Sequence, residues 1–238
     1  MSQLIKRLMP PKMKKKLENI LFTRFGGYGI KSYSQEGEDM ILRRIFEKQG
    51  GGFYVDVGAH HPKRFSNTYY FYKKGWRGIN IDAAPGSMKY FSKFRKEDIN
   101  LEIPVSDTIE ILTYHMFDDP ALNGFSKELS VERDKNSNYR IVKTIELKTS
   151  TLSEILDKYL PQNTVIDFLS IDVEGFDFKV LKSNDWEKYL PKIVLVEALQ
   201  SSLEDLNKNE IVNFMKTNGY EIFAKSFNTF IFKLIKNE

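Results

Sequence analysis

A chain of 238 residues, 41% hydrophobic and 29% charged, holds enough apolar side chains for one sizeable core and too many for a disordered polymer. It has no cysteine, which excludes disulfides, thiolate metal sites and cysteine nucleophiles and fits a reducing, cytoplasmic compartment. The formal charge of +4 is concentrated in Lys6, Arg7, Lys12, Lys14, Lys15 and Lys16, so the remainder is nearly neutral and lacks the basic face that a nucleic-acid partner demands.

Residues 1–29 read as a basic helical arm. Pro10 and Pro11 break the chain, and Met13, Leu17, Ile20 and Leu21 then recur at helical spacing beside the lysines. Such a helix either packs on its own domain or makes peripheral contact with an anionic membrane. The prolines and lysines interrupt any signal-peptide core, and no apolar run approaches the ~20 residues of a membrane span.

Residues 30–238 alternate helical and extended patterns, as one α/β domain does. Ser34 is the expected cap of a helix carrying Met40, Ile41, Leu42, Ile45 and Phe46 that stops at Gly50, Gly51 and Gly52. A strand is expected from Phe53 to Val57, a helix from about Ser66 to Lys74, and a second strand from Gly78 to Asp82 with Asn80 facing outward. Pro85 opens a helix to about Phe94; Leu101 to Val105 reads as the third strand and Ile109 to Phe117 as a strand or edge extension. Asp118 to Asn138 lacks a period and reads as an excursion from the core: a lid, a binding loop or a disordered insert. Arg140 to Leu147 alternates as a strand does, and Thr151 with Glu154 makes a capping box for a helix to Leu160. Val165 to Ile171 and Ile193 to Val196 are apolar runs typical of strands covered on both faces. A helix from Ser202 to Asn218 precedes two strands, Tyr220 to Ala224 and Thr229 to Leu234, close enough to pair antiparallel. The aromatic residues Tyr69, Tyr70, Phe71, Tyr72, Trp76 and Trp186 read as packing.

Ligands of open α/β sheets sit beyond the carboxyl ends of the strands, so polar residues there are the candidates for chemistry. Asp56 closes the first strand, Gly58 opens the turn after it, and Asp82, 26 positions beyond Asp56, ends the second strand where it can accept from a ribose hydroxyl pair. A nicotinamide dinucleotide needs three glycines around its pyrophosphate. The turn here reads Gly58-Ala59-His60-His61-Pro62, which suits a ligand with adenine, ribose and a sulfonium but no phosphate. The chain has three histidines, His60, His61 and His115, two of them in that turn, where each ring either serves function or bonds to backbone. Asp172, Glu174 and Glu197 follow two strands expected to be neighbours. They can converge on a magnesium- or manganese-type cation that acidifies an acceptor hydroxyl, or they bind substrate hydroxyls and cap the next helix.

Five strings occur in order: Tyr33-Ser34-Gln35-Glu36-Gly37-Glu38-Asp39, Tyr54-Val55-Asp56-Val57-Gly58-Ala59-His60, Ser66-Asn67-Thr68, Gly78-Ile79-Asn80-Ile81-Asp82-Ala83 and Ile171-Asp172-Val173-Glu174-Gly175. Together they resemble the FkbM-type methyltransferase family, from about Tyr33 to Lys233. The resemblance implies a Rossmann-like class I methyltransferase sheet, mostly parallel, ending in an antiparallel hairpin. It also implies S-adenosylmethionine as donor and O-methylation of sugars or other secondary metabolites. The expected acceptor is a hydroxyl of a sugar, a sugar nucleotide or a surface polysaccharide precursor. The expected cofactor set is Gln35, Glu38, Asp56, Gly58, Asp82 and Ser106; His61, Asp172 and Glu174 are the expected catalytic residues, and Asp172 with Glu197 the expected metal pair. Two other readings stay open: an N-methyltransferase acting on a small metabolite, and a nucleotide-binding scaffold without catalysis.

Overall fold

The computed structural model describes residues 10, 12–13, 15–16, 19–20, 29–199, 201–204 and 206–235. The chain divides into two compact units, Met1–Ser32 and Tyr33–Glu238. In the first, residues 12–13, 15–16 and 19–20 are helical and Met13 and Ile20 are exposed. Lys6, Arg7, Lys14, Leu17 and Leu21, which also define the expected arm, lie outside the described residues.

The second unit is built on a seven-stranded sheet. Four strands pair side by side in parallel with β1 (Phe53–Val57) and β2 (Arg77–Asp82) at one end and β6 (Phe168–Ile171) and β7 (Ile193–Glu197) at the other. β3 (Ile99–Glu102) adds to the outer edge of β2, also in parallel. On the opposite side β9 (Thr229–Leu234) lies antiparallel between β7 and β8 (Tyr220–Lys225), giving the order β3-β2-β1-β6-β7-β9-β8. Only β9 runs against the rest, as expected for the C-terminal hairpin.

Both faces are covered, which is why these strands read as apolar runs. On one face Val55, Val57, Ile81, Leu169 and Val196 pack with Leu152, Ile155 and Leu156 of α5 (Leu152–Tyr159), Val180 and Leu181 of α6 (Asp177–Lys182), and Val212 and Met215 of α7 (Glu210–Thr217). The other face sets Tyr54, Phe168 and Leu195 against Leu42 and Phe46 of α1 (Glu38–Ile45), Phe71 of α2 (Tyr69–Lys73), and Trp76. The Thr151 capping box on α5 forms as the sequence predicts.

Several expectations shift, each for a physical reason. α1 starts at Glu38 after Gly37, whose φ is +90°, and Ser34 instead exchanges hydrogen bonds with Asp39. Asn80 is buried, because β2 is an interior strand; it donates to Asp98 at 3.0 Å and to Asn100 at 2.8 Å. The third strand ends at Glu102 because the chain turns away there: Val105 bridges Ser150, and Pro104 offers its carbonyl to the Ser150 N–H. Residues 109–117 therefore do not extend the main sheet. Instead β4 (Ile111–Phe117) pairs with β5 (Ile141–Lys148) as a separate antiparallel ribbon.

The excursion between these two strands is folded. It holds a single 3-10 turn at Pro120–Leu122 and α4 (Lys127–Asn136), capped by Ser126, which accepts from the Leu129 N–H at 3.3 Å. Its period is invisible because α4 buries only Ser130 and has no apolar stripe. The expected helix at 202–218 is α7 preceded by a 3-10 turn at Leu206–Lys208, with Asn209 capping α7. The remaining helix, α3 (Met88–Phe94), follows the turn at Pro85.

Candidate active site

Parallel register places Asp56 beside Asn80 on one side and Ser170 on the other. Two residues further along each strand come Gly58, Asp82 and Asp172, and Glu197 closes β7 on the same shelf. Gly58 has φ +82°, and a Cβ there would stand 1.7 Å from the Asp172 carbonyl oxygen. Glycine is thus demanded by the crossing of two strand exits as much as by any ligand. Asp82 is fixed by its own turn: its two carboxylate oxygens accept the His60 and Ala84 N–H groups, each at 2.8 Å. Each oxygen keeps a further lone pair for a ligand. Burial pushes the Asp82 carboxyl above its ordinary range, opposed by those hydrogen bonds.

A cleft opens on this shelf. From the residues singled out in the sequence it collects Gln35, Gly58, Asp82, Asp172 and Glu174. Ile103 and Val105 from the segment after β3, with Tyr114 of β4 and Phe125 of the folded excursion, add an apolar and aromatic wall, beside Asn123, that sequence reasoning missed. A second compartment adjoins it, sharing Gln35, Phe65 and Asp172 and adding Glu38, Asn67, Glu197 and Asn228.

The two histidines of the turn part ways. His60, at φ +51°, lines the cleft, and its buried Nε2 has no protein partner. His61 is the expected base, but its Nδ1 accepts the N–H groups of Lys63 and Arg64 at 3.1 and 2.9 Å, so it caps its own turn and is not among the residues lining the cleft. Burial, then the nearby Arg64, lowers the pKa of both rings and keeps them neutral. Asp56 and Ser106, two of the expected cofactor ligands, also sit behind the lining. Asp56 is buried and accepts from the Thr68 hydroxyl at 2.8 Å, with its carboxyl raised to about 6 chiefly by burial. Ser106 is buried, donates to Asp107 at 3.2 Å and gives its N–H to the Ser150 carbonyl.

The acids do converge. Asp172, Glu174 and Glu197 each place an oxygen within 4.8 Å of the others. Glu174, in the left-handed region at φ +56°, is held by an ion pair with Arg133 of α4. Asp177 accepts the Val173 and Gly175 N–H groups at 3.0 Å, so it shapes the loop that carries the other two. Asp172 is exposed to the cleft, and the protein packed around it, followed by its acidic neighbours, raises its pKa. Glu197 is raised to about 11 by burial and then by Asp172, and its Oε2 has no hydrogen-bond partner.

Beneath the shelf lies a polar network with no sequence signal except Asn80 in an otherwise apolar strand. Arg95 is fully buried and pairs with Asp98 at 2.8 Å. It also donates to the Tyr54 hydroxyl at 2.6 Å, the Thr68 hydroxyl at 3.1 Å and the Asn80 side-chain Oδ1 at 3.2 Å. Asp98 further accepts from Tyr54 at 2.7 Å and from the Gly78 N–H at 3.0 Å. Through Thr68 this network reaches Asp56 and the Ser66-Asn67-Thr68 segment, whose Asn67 donates to Ser170 at 3.0 Å.

No curated protein matches the sequence of this chain. Among solved structures it is similar to a candidate RNA methyltransferase from Pyrococcus horikoshii, with 12% identity, a TM-score of 0.44 and 84% of each chain covered. It is also similar to a TehB-like SAM-dependent methyltransferase from Corynebacterium glutamicum, with 12% identity, a TM-score of 0.41, and 94% of this chain and 97% of the other covered. The family model described as the methyltransferase FkbM domain matches residues 56–222, which run from the end of β1 through α7 and into β8. The chain therefore belongs to the FkbM methyltransferase family and is an S-adenosylmethionine-dependent methyltransferase.

Proposed function

We propose that the protein methylates a hydroxyl group of a sugar, either a sugar nucleotide or a precursor of a surface polysaccharide. The observation that carries the reading is the pair of compartments meeting at Asp172: one fits the donor, and the other is lined by acids and amides suited to hydroxyl-bearing ligands. S-adenosylmethionine fits the larger cleft on its donor set. Asp82 has lone pairs for the ribose hydroxyls, Ile103 and Val105 form an apolar wall for a base, and Asp172 and Glu174 offer negative charge to a sulfonium.

When bound, S-adenosylmethionine supplies an electrophilic methyl carbon on a positively charged sulfur. The chain's own residues then have three tasks. Asp82 and the Ile103–Val105 wall fix the donor so that its methyl faces Asp172, and most of the rate comes from that alignment. Asp172, Asn67 and Glu197 orient the acceptor, giving hydrogen-bond partners to its hydroxyls. The unpartnered Nε2 of His60, in the neighbouring cleft, is the base we propose for the proton that the hydroxyl loses; burial lowers its pKa.

A magnesium- or manganese-type ion does not fit this donor set well. Arg133 already holds Glu174 and brings a positive charge beside the cluster, leaving Asp172 and Glu197 as the free carboxylates. No step is routed through a metal.

The test is twofold. Asp82→Ala should weaken S-adenosylmethionine binding about tenfold or more by calorimetry; unchanged affinity would remove the donor from this cleft. A screen of sugars and sugar nucleotides, followed by S-adenosylhomocysteine release in mass spectrometry, reads the acceptor. Release only with amine acceptors that lack hydroxyls would replace O-methylation with N-methylation.

A further inference from the structure

We propose that the compartment floored by Glu197 and Asp172 is a subsite for an ammonium group, presented either by the amino-acid end of the methyl donor or by an amine on the acceptor. The proposal rests on the placement of S-adenosylmethionine in the neighbouring cleft.

Glu197 ends β7, is 9% exposed and lines this compartment, yet its Oε2 meets no protein donor. A buried carboxylate oxygen without a partner is costly unless something else satisfies it. The other glutamates nearby are already used. Glu36 accepts the Asn228 N–H at 2.8 Å, and Glu38 accepts the Ser226 hydroxyl at 2.9 Å and the Glu36 N–H at 3.0 Å, so both tie the β8–β9 turn to the start of α1. Glu197 lines the compartment with its Oε2 unmet.

Charge narrows the occupant. Among the described residues lining the compartment there are four carboxylates and no lysine, arginine or histidine. A phosphate or carboxylate is repelled there. A neutral hydroxyl leaves Glu197 in the protonated form that burial and Asp172 favour, whereas an ammonium brings three donors and the positive charge that lets the carboxyls ionise. The spacing agrees. Asp172 and Glu197 place oxygens within 4.8 Å of each other, close enough for one nitrogen to bridge them with charge-assisted hydrogen bonds of about 2.8 Å. Magnesium instead asks for about six oxygens at about 2.0–2.1 Å.

The experiment is calorimetry on the full chain stripped of metal by chelation, with S-adenosylhomocysteine and with 5′-methylthioadenosine, which keeps the nucleoside and sulfur but lacks the amino-acid end. If the donor supplies the ammonium, Glu197→Gln weakens S-adenosylhomocysteine binding about tenfold or more and leaves 5′-methylthioadenosine unchanged. Should the acceptor supply it, both nucleosides bind the variant as they bind the parent. With S-adenosylhomocysteine saturating, glucosamine or ethanolamine then binds the parent and not the variant, while glucose binds the two alike. Glu197→Asp, which keeps the charge, should recover part of either effect, and Asp172→Asn should weaken the same ligand if the Glu197→Gln protein does not fold. The proposal is overturned if none of these ligands distinguishes parent from variant, or if binding through Glu197 is seen only after magnesium is restored. Failure of 5′-methylthioadenosine to bind the parent would instead overturn the donor placement itself.

Discussion

At the scale of single residues the decisive fact is how two adjacent histidines acquire different jobs. The backbone at His60 is left-handed, and this turns its ring toward the cleft while His61 caps the following turn. His60→Ala should therefore lower turnover by about 10²–10⁴-fold with little change in donor affinity. His61→Ala should cost stability more than rate; equal rate losses would remove the distinction between the two rings. Asp56 makes a second prediction. Its folded-state carboxyl is raised to about 6, chiefly by burial, so the native state binds a proton more tightly than the unfolded chain does. Its contribution to stability is full below the ordinary carboxylate range and is lost as pH rises through about 6. Asp56→Asn keeps an acceptor for Thr68, and it should flatten the fall in stability between acid and neutral pH, with a gain of about 1–2 kcal/mol at pH 8. Urea unfolding at several pH values checks it. The sequence displays Asp56, Gly58 and Asp82 plainly, because strand ends are marked by apolar alternation. It cannot rank His60 above His61, since that depends on one φ angle, and it gives no hint that Arg95 is buried, because an arginine reads as surface until its partners are known.

At the scale of elements, what is legible follows periodicity. β1, β2, the α5 capping box and the terminal hairpin are each written in local pattern or spacing. The β4–β5 ribbon reads as two strands without a partner, since pairing between residues so far apart in the chain leaves no local mark. α4 is invisible for a different reason: its sequence is polar on every side, and what holds it is Ser126 at its start and Arg133 reaching Glu174. That contact predicts behaviour. Arg133→Met should loosen the excursion that lines the donor cleft and leave Glu174 unpaired, lowering donor affinity several-fold more than it raises KM for the acceptor. If KM for the acceptor suffers equally, α4 serves the acceptor pocket as well as the donor cleft.

At the scale of the whole molecule, every strand of the sheet and every helix from α1 to α7 lies within residues 38–234. A protein beginning at Tyr33 should unfold cooperatively with the same midpoint as the full chain, within the scatter of a thermal melt; a marked drop would make residues 1–32 part of the core. Sedimentation with anionic vesicles, compared between the two proteins, reports whether the basic arm touches lipid. No helix among the described residues is long and apolar enough to cross a membrane. The position of β9 has a further consequence, for synthesis. β8 emerges from the ribosome first, yet its only neighbour in the sheet is β9, and β7 keeps an open edge until β9 arrives between them. During that interval the nascent chain carries a finished apolar strand with unpaired N–H and C=O groups and Glu197 at its tip, the state most exposed to pairing with another chain. A stop codon just before Thr229 would thus leave the sheet unclosed, so that the codons of β9 decide whether the strands translated before them become a working protein or a substrate for chaperones and proteases.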